Sequence, residues 1–161
     1  MNQSQIHLAL THLPVILTLT GSVILAISLF TRNMTVTKVS LYILVAASLF
    51  ALPVFFSGEG AEETVEHLPG VSGSLIEEHE TFANISMYVI IGTGLLALAG
   101  LFKLAGKPLV QTLRYFVLIA AIFSSGLISW TAHLGGQIRH TEISQTTIQR
   151  GESNNGPEDK D

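Results

Sequence analysis

The 161-residue chain contains no cysteine. That absence excludes disulfides, iron–sulfur clusters, thiolate zinc sites and haem attached through a Cys-x-x-Cys-His motif. Any metal must therefore be held by imidazole, carboxylate or carbonyl groups. Charge is scarce as well, with 12% of residues Asp, Glu, Lys or Arg against 48% hydrophobic. With a mean hydropathy of +0.50, the chain is too apolar for one small soluble core. No nucleophile elbow, His-Glu-x-x-His motif, phosphate-binding glycine loop or basic nucleic-acid patch is present. A stand-alone catalyst and a nucleic-acid partner are thus poorly supported. No Lys or Arg precedes the first apolar run, whereas a cleavable signal peptide opens on positive charge and has a shorter apolar stretch. The first run is expected to be a retained span.

What is present is long apolar sequence. A helix needs about 20 mostly apolar residues to cross the hydrocarbon, and that length occurs at about 6–30, 39–56, 82–102 and 109–134. The expected fold is all-α, an integral membrane up-down four-helix bundle occupying residues 1–140, followed by a polar, disordered tail at 141–161. Pro14 falls in the opening turns of the first span, where it does little harm. Pro53 predicts a kink in the second. Residues 61–67 are expected to form a short helix beyond the membrane, broken at Leu68-Pro69-Gly70. Gly92, Gly94 and Gly100 would let the third span pack closely against a neighbour. Trp130 stands near a span end, where interfacial aromatics concentrate.

The charges orient this bundle. Arg32, Lys38, Lys103 and Lys107 lie in the first and third connections, with Arg114 near enough to snorkel toward the same side, and no acid accompanies them. Basic residues in short loops favour the cytoplasmic side. The second connection carries Glu59, Glu62, Glu63, Glu66, Glu77, Glu78 and Glu80 without a base. It and both termini are expected outside, in the periplasm if the membrane is a bacterial inner membrane.

All six histidines fall at that same outer side. His7 and His12 are in the first span, His67 and His79 around the second connection, and His133 and His140 at the end of the fourth. His133 lies within an apolar run, where an ionisable group is costly without a partner. Ser129 and Gly126 lie one and two turns below it on one helical side and Gly136 above, which leaves room for a large planar ligand. Ala83 and Ser86 do the same beneath His79, and His12 sits at a depth comparable to His133.

Two neutral imidazoles from facing helices, small residues and apolar walls are the requirements of a bis-His haem b. In a cyclic bundle His12 and His79 lie on diagonal helices, as do His67 and His133, and His12 with His133 would pair across adjacent helices. One or two haems can be accommodated. His7 and His140 lie nearer water and are expected to take a secondary role. A competing reading uses Glu63 and His67, spaced i,i+4 on one face, for zinc or another divalent ion. A third makes the chain a structural accessory of a larger complex, with the histidines in ordinary polar contacts. The acidic loop also suits a basic soluble partner, such as a periplasmic cytochrome or respiratory complex. Away from the outer ends the spans hold no carboxylate or histidine, so a proton or ion path across the bilayer lacks stations.

Several segments also carry a resemblance: His7-x-x-x-x-His12-Leu13-Pro14, then Ser57-Gly-Glu-Gly-Ala-Glu-Glu-Thr-Val-Glu66, Leu68-Pro-Gly-Val71 and Leu75-Ile-Glu-Glu-His79-Glu80. Over about Ile6 to His140 the chain resembles the bacterial membrane family catalogued as domain of unknown function 2231. The resemblance implies four spans and, because some members look joined to cytochrome-like domains, a respiratory or redox setting. It places His7, His12 and His79 on the family's motif histidines. Leu8 departs from the pattern, in which proline follows the first histidine.

Overall fold

The structure is a computed structural model that describes residues 3–66, 71–103 and 109–139. Four helices account for nearly all of them: α1 (Gln3–Thr31), α2 (Met34–Val65), α3 (Gly73–Lys103) and α4 (Leu109–Arg139). Each contains a stretch long and apolar enough to cross a membrane. The chain is a multi-pass membrane protein of the all-α, four-helix-bundle class.

The helices outrun the spans expected from hydropathy. At 1.5 Å per residue, the 32 residues of α2 extend about 48 Å, well beyond the roughly 30 Å of hydrocarbon. The overshoot is acidic. Helix α2 continues through Pro53 and through Ser57-Gly58-Glu59-Gly60 to Val65 without a separate short helix, and the polar lead-in from Gly73 is the first part of α3. A glycine inside a helix costs about 1 kcal/mol, less than interrupting a helix whose neighbours already pack along it. His67, the Leu68-Pro69-Gly70 breaker, most of the basic turn between α3 and α4, His140 and the tail lie outside the described residues.

At the first connection Arg32 takes a left-handed φ of 52°, and Asn33 caps α2 by accepting from Thr35 N at 2.9 Å and Val36 N at 3.3 Å. Two residues thus reverse the chain. Among the described residues α1 packs on α2 and α4, and α3 on α2 and α4, which leaves α1 opposite α3 and α2 opposite α4. The start of α1, the end of α2, the start of α3 and the end of α4 meet at one end, called here the histidine end. The opposite end is the basic end.

The inward faces follow a three- and four-residue spacing. On α1 they are Pro14, Thr18, Gly21, Ser22, Leu25 and Ser28, and on α3 Ile76, Ser86, Ile90, Thr93, Ala97 and Gly100. Leu25, Leu41, Leu44, Ala97, Val117 and Ala121 form one apolar cluster, and Ala47, Ala51 and Ile90 a second toward the histidine end. Large side chains such as Phe30, Leu49, Tyr88, Phe102 and Ile119 point outward. That is the arrangement a lipid solvent requires, since burial among helices gains little over burial in acyl chains.

Small residues therefore set the helix separations. A Cβ added at Gly94 would overlap the side chain of Ser48, and one at Gly21 would lie 2.8 Å from Leu44 Cδ2. Gly100 approaches Leu41, whereas Gly92 meets nothing within 4 Å, so two of the three expected close-packing glycines serve that role. Hydroxyls complete the interior. Ser22 pairs with Ser125 at 3.2 Å, Thr93 with Ser124 at 2.8 Å and Ser86 with Thr131 at 2.8 Å. In the last two pairs the threonine donates to its own helix, Thr93 to Val89 O and Thr131 to Leu127 O, and accepts from the serine, so little polar capacity is left unsatisfied in the dry core.

Candidate histidine site

Extending the inward stripe of α1 back by seven residues from Pro14 reaches His7, and extending that of α3 back by seven from Ser86 reaches His79. Seven residues are nearly two full helical turns. Both rings accordingly turn into the end of the bundle, from diagonal helices, and both side chains are part-buried.

Each ring is held in the same manner by a neighbouring helix. His7 Nδ1 lies 3.0 Å from the Val54 carbonyl and 3.1 Å from Ser57 Oγ, on α2. The Ser57 hydroxyl itself donates to Val54 O at 2.9 Å. His79 Nδ1 lies 3.0 Å from the Thr131 carbonyl on α4. A carbonyl oxygen can only accept, so Nδ1 carries the proton in both rings and the lone pair falls on Nε2. Neither Nε2 has a hydrogen-bond partner among the described residues. The rings are also close enough for a charge on one to act on the other.

Glycines allow this packing. A Cβ at position 135 would lie 3.1 Å from His79 Cε1, tighter than an ordinary contact, and one at position 58 would lie 3.6 Å from His7 Cε1. The pair Ser86–Thr131 closes the floor beneath His79, and buried Ile76 and Leu134 supply apolar surface at the same level. Glu62 of α2 lies near Glu80 of α3 and near Glu59 and the C-cap residue Glu66, forming an acidic rim at the histidine end.

The other expected ligands are placed differently. His12 is exposed, with Nδ1 3.3 Å from Leu8 O of its own helix. Two residues before inward-facing Pro14, it lies about 200° around the helix, on the outer surface. His133 stands in the same relation to inward-facing Thr131 and is also exposed. Its Nε2 is 3.0 Å from the Gln137 side-chain nitrogen, and its ring tilts against Trp130 at 5.5 Å. The small residues meant to make room beside it, Gly126 and Ser129, are exposed too, and nothing approaches Gly126 within 4 Å. That face of α4 looks out of the bundle and lines no pocket inside it. The expectation of a pocket under His133 is corrected on this ground. Glu63 is exposed, and its proposed partner His67 lies outside the described residues, as does His140.

Ranking histidines on depth from water did not anticipate that His7 turns into the bundle. The signal that identifies it is helical phase: it continues the stripe of Pro14, Thr18, Gly21, Leu25 and Ser28.

Among the described residues no group of three or more His, Cys, Asp or Glu side chains gathers to hold a metal ion. The chain matches no family model, no curated protein and no solved structure. The chemistry of the site rests on its own geometry.

Proposed function

We propose that the chain is a b-type haem protein of a bacterial inner membrane, with His7 and His79 as the residues that would hold the haem iron and the histidine end on the periplasmic side. The observation that carries this reading is the matched pair of imidazoles on diagonal helices, each with Nδ1–H fixed to a backbone carbonyl and Nε2 without a hydrogen-bond partner among the described residues. A carbonyl bonded to the far nitrogen is the usual outer partner of a metal-ligating histidine, because it sets the tautomer and raises the basicity of the ligating nitrogen.

The number of donors favours haem over a bare divalent ion. Zinc takes three or four protein ligands. Two imidazoles suffice for an iron that arrives with four porphyrin nitrogens. Glycines at positions 58 and 135 keep the rings against neighbouring helices, and the Ser86–Thr131 pair together with Ile76 and Leu134 limits the access of water. A bound haem would supply reversible one-electron chemistry. The chain's own part is to hold both imidazoles neutral and oriented, and to present Glu59, Glu62, Glu66 and Glu80 as an acidic rim. That rim suits a basic electron-transfer partner, whose approach complementary charge would speed. Electrons would pass between such a partner and the membrane redox pool. The resemblance to the domain-of-unknown-function family, with its redox setting, points the same way.

The test is purification in mild detergent after expression with ample haem supply, followed by reduced-minus-oxidised spectra, a pyridine haemochrome assay and elemental analysis. Stoichiometric haem b is expected. Absence of haem would overturn the reading, and stoichiometric zinc or copper without iron would assign the site to a non-haem metal.

A further inference from the structure

At the basic end, Arg114 turns inward from the second turn of α4. It is only 7% exposed, in place of the snorkelling toward water that its position suggested. Its Nη1 donates to Thr37 Oγ1 at 3.2 Å and meets Met34 Sδ at 3.6 Å, so it reaches across the bundle to the diagonal helix α2. The Thr37 hydroxyl continues toward Ser28 Oγ on α1 and Asn33 O, each at 3.1 Å. Every one of these partners is neutral.

The other edge of the guanidinium is unused. Nε is enclosed and has no hydrogen-bond partner among the described residues. Nη2 makes no hydrogen bond among them either. The chain offers no counter-ion from the helices at this end, since it has no Asp or Glu before Glu59 and none between Glu80 and Glu142. Those flanking acids belong to the histidine end or follow it in sequence, and α4 rises about 38 Å between Arg114 and Arg139. A guanidinium keeps its charge, and a buried charge without a partner is strongly unfavourable.

We propose that Arg114 binds a phosphate oxyanion through Nη2 at the basic end of the bundle. Nη2 carries two N–H donors, which phosphate oxygens accept as charge-assisted hydrogen bonds. The depth is appropriate. A 31-residue helix overshoots the hydrocarbon by about 8 Å at each end, and Arg114 lies about 7 Å inside the start of α4, at the level of the headgroups. Exposed Lys38 on α2 lies at the same end and serves as the control cation. The oxyanion is either the phosphodiester of an anionic phospholipid or free phosphate.

Native mass spectrometry of detergent-purified protein with equimolar phosphatidylglycerol and phosphatidylcholine, together with thermal melts in each lipid and in inorganic phosphate against matched chloride, tests the proposal. If the source is lipid, the wild-type chain retains phosphatidylglycerol over phosphatidylcholine by about tenfold, the ratio one charge-assisted contact supports, and phosphatidylglycerol alone raises its melting temperature. If the source is free phosphate, inorganic phosphate raises the melting temperature and the lipids are retained equally. Arg114→Gln abolishes whichever effect the wild type shows, Arg114→Lys keeps a weakened one, and Lys38→Gln preserves it. No preference and no stabilisation in the wild type overturns the proposal. So does an undiminished effect in Arg114→Gln. Should Arg114→Gln fail to fold, the wild-type arms and Arg114→Lys decide.

Discussion

Substituting Gly94 by alanine probes how this bundle is held together. Helix α3 touches α2 where Gly94 faces Ser48, and an added methyl would overlap both the Cβ and the Oγ of that serine. Ser48 cannot turn aside freely, because its hydroxyl donates to Val45 O at 2.8 Å. Carbon atoms settle about 3.5–4.0 Å apart, so α2 and α3 must move apart by about 1 Å. A gap of that size forfeits a quarter to a half of each dispersion contact along the seam. Overpacking of this kind costs about 1–3 kcal/mol, and for a chain of this length about 2 kcal/mol lowers the melting temperature by about 4–8 °C. Thermal unfolding in detergent, followed by helical circular dichroism and by Trp130 fluorescence, measures it. Gly94→Ala with Ser48→Gly moves the methyl from one helix to the other and should recover most of the loss. Gly92→Ala, where nothing lies within 4 Å, should be neutral or slightly stabilising, since alanine favours helix over glycine. Wild-type stability in Gly94→Ala, or equal damage from Gly92→Ala, would refute close glycine packing as the determinant of this seam.

Three further outcomes are expected. Gly135→Ala should disturb the histidine site more than Gly58→Ala, because the new methyl would press on the His79 ring at 3.1 Å against 3.6 Å for His7; ligand occupancy of the two variants measures the difference. A double-mutant cycle on Thr93 and Ser124, whose hydroxyls meet at 2.8 Å between α3 and α4, should return a coupling of about 0.6 kcal/mol in denaturant titrations. Single cysteines at Asn33 and Ser74 should label from opposite sides of the membrane, Ser74 from the periplasm. The absence of native cysteine makes this reading clean, and labelling of both from one side would contradict the orientation.

The four helices were legible because each carries a long apolar run and because lipid rewards internal hydrogen bonding so strongly that a helix is the natural outcome. Their lengths were not. Hydropathy marks where lipid begins and ends, and α2 and α3 continue past that point as helices wherever a neighbour still packs against them. His79 and Ser86 were read correctly as sharing a helical face, and the gathering of histidines at one end was visible in the chain. The difference between His7 and His12 was not visible from depth, since both are at the same end. It follows from phase alone, one ring lying on the Pro14–Thr18 stripe and the other about 200° away. His133 misled for a related reason: small neighbours look the same in sequence whether they line a pocket or face lipid. The bonds that fix the tautomers, to Val54 O and Thr131 O, join residues 47 and 52 positions apart, and no local pattern encodes them. Arg114 turned inward because Thr37 and Ser28 offer it hydroxyls across the bundle, another pairing distant in sequence.

The ligand assignment is tested most directly by replacing the histidines one at a time with alanine and measuring haem b per protein in detergent, together with the low-spin bis-imidazole electron paramagnetic resonance signal. His7→Ala and His79→Ala should each abolish that signal and most of the bound haem, while His12→Ala and His133→Ala keep both. Loss on replacing His12 or His133, with full retention in His7→Ala and His79→Ala, would contradict the assignment.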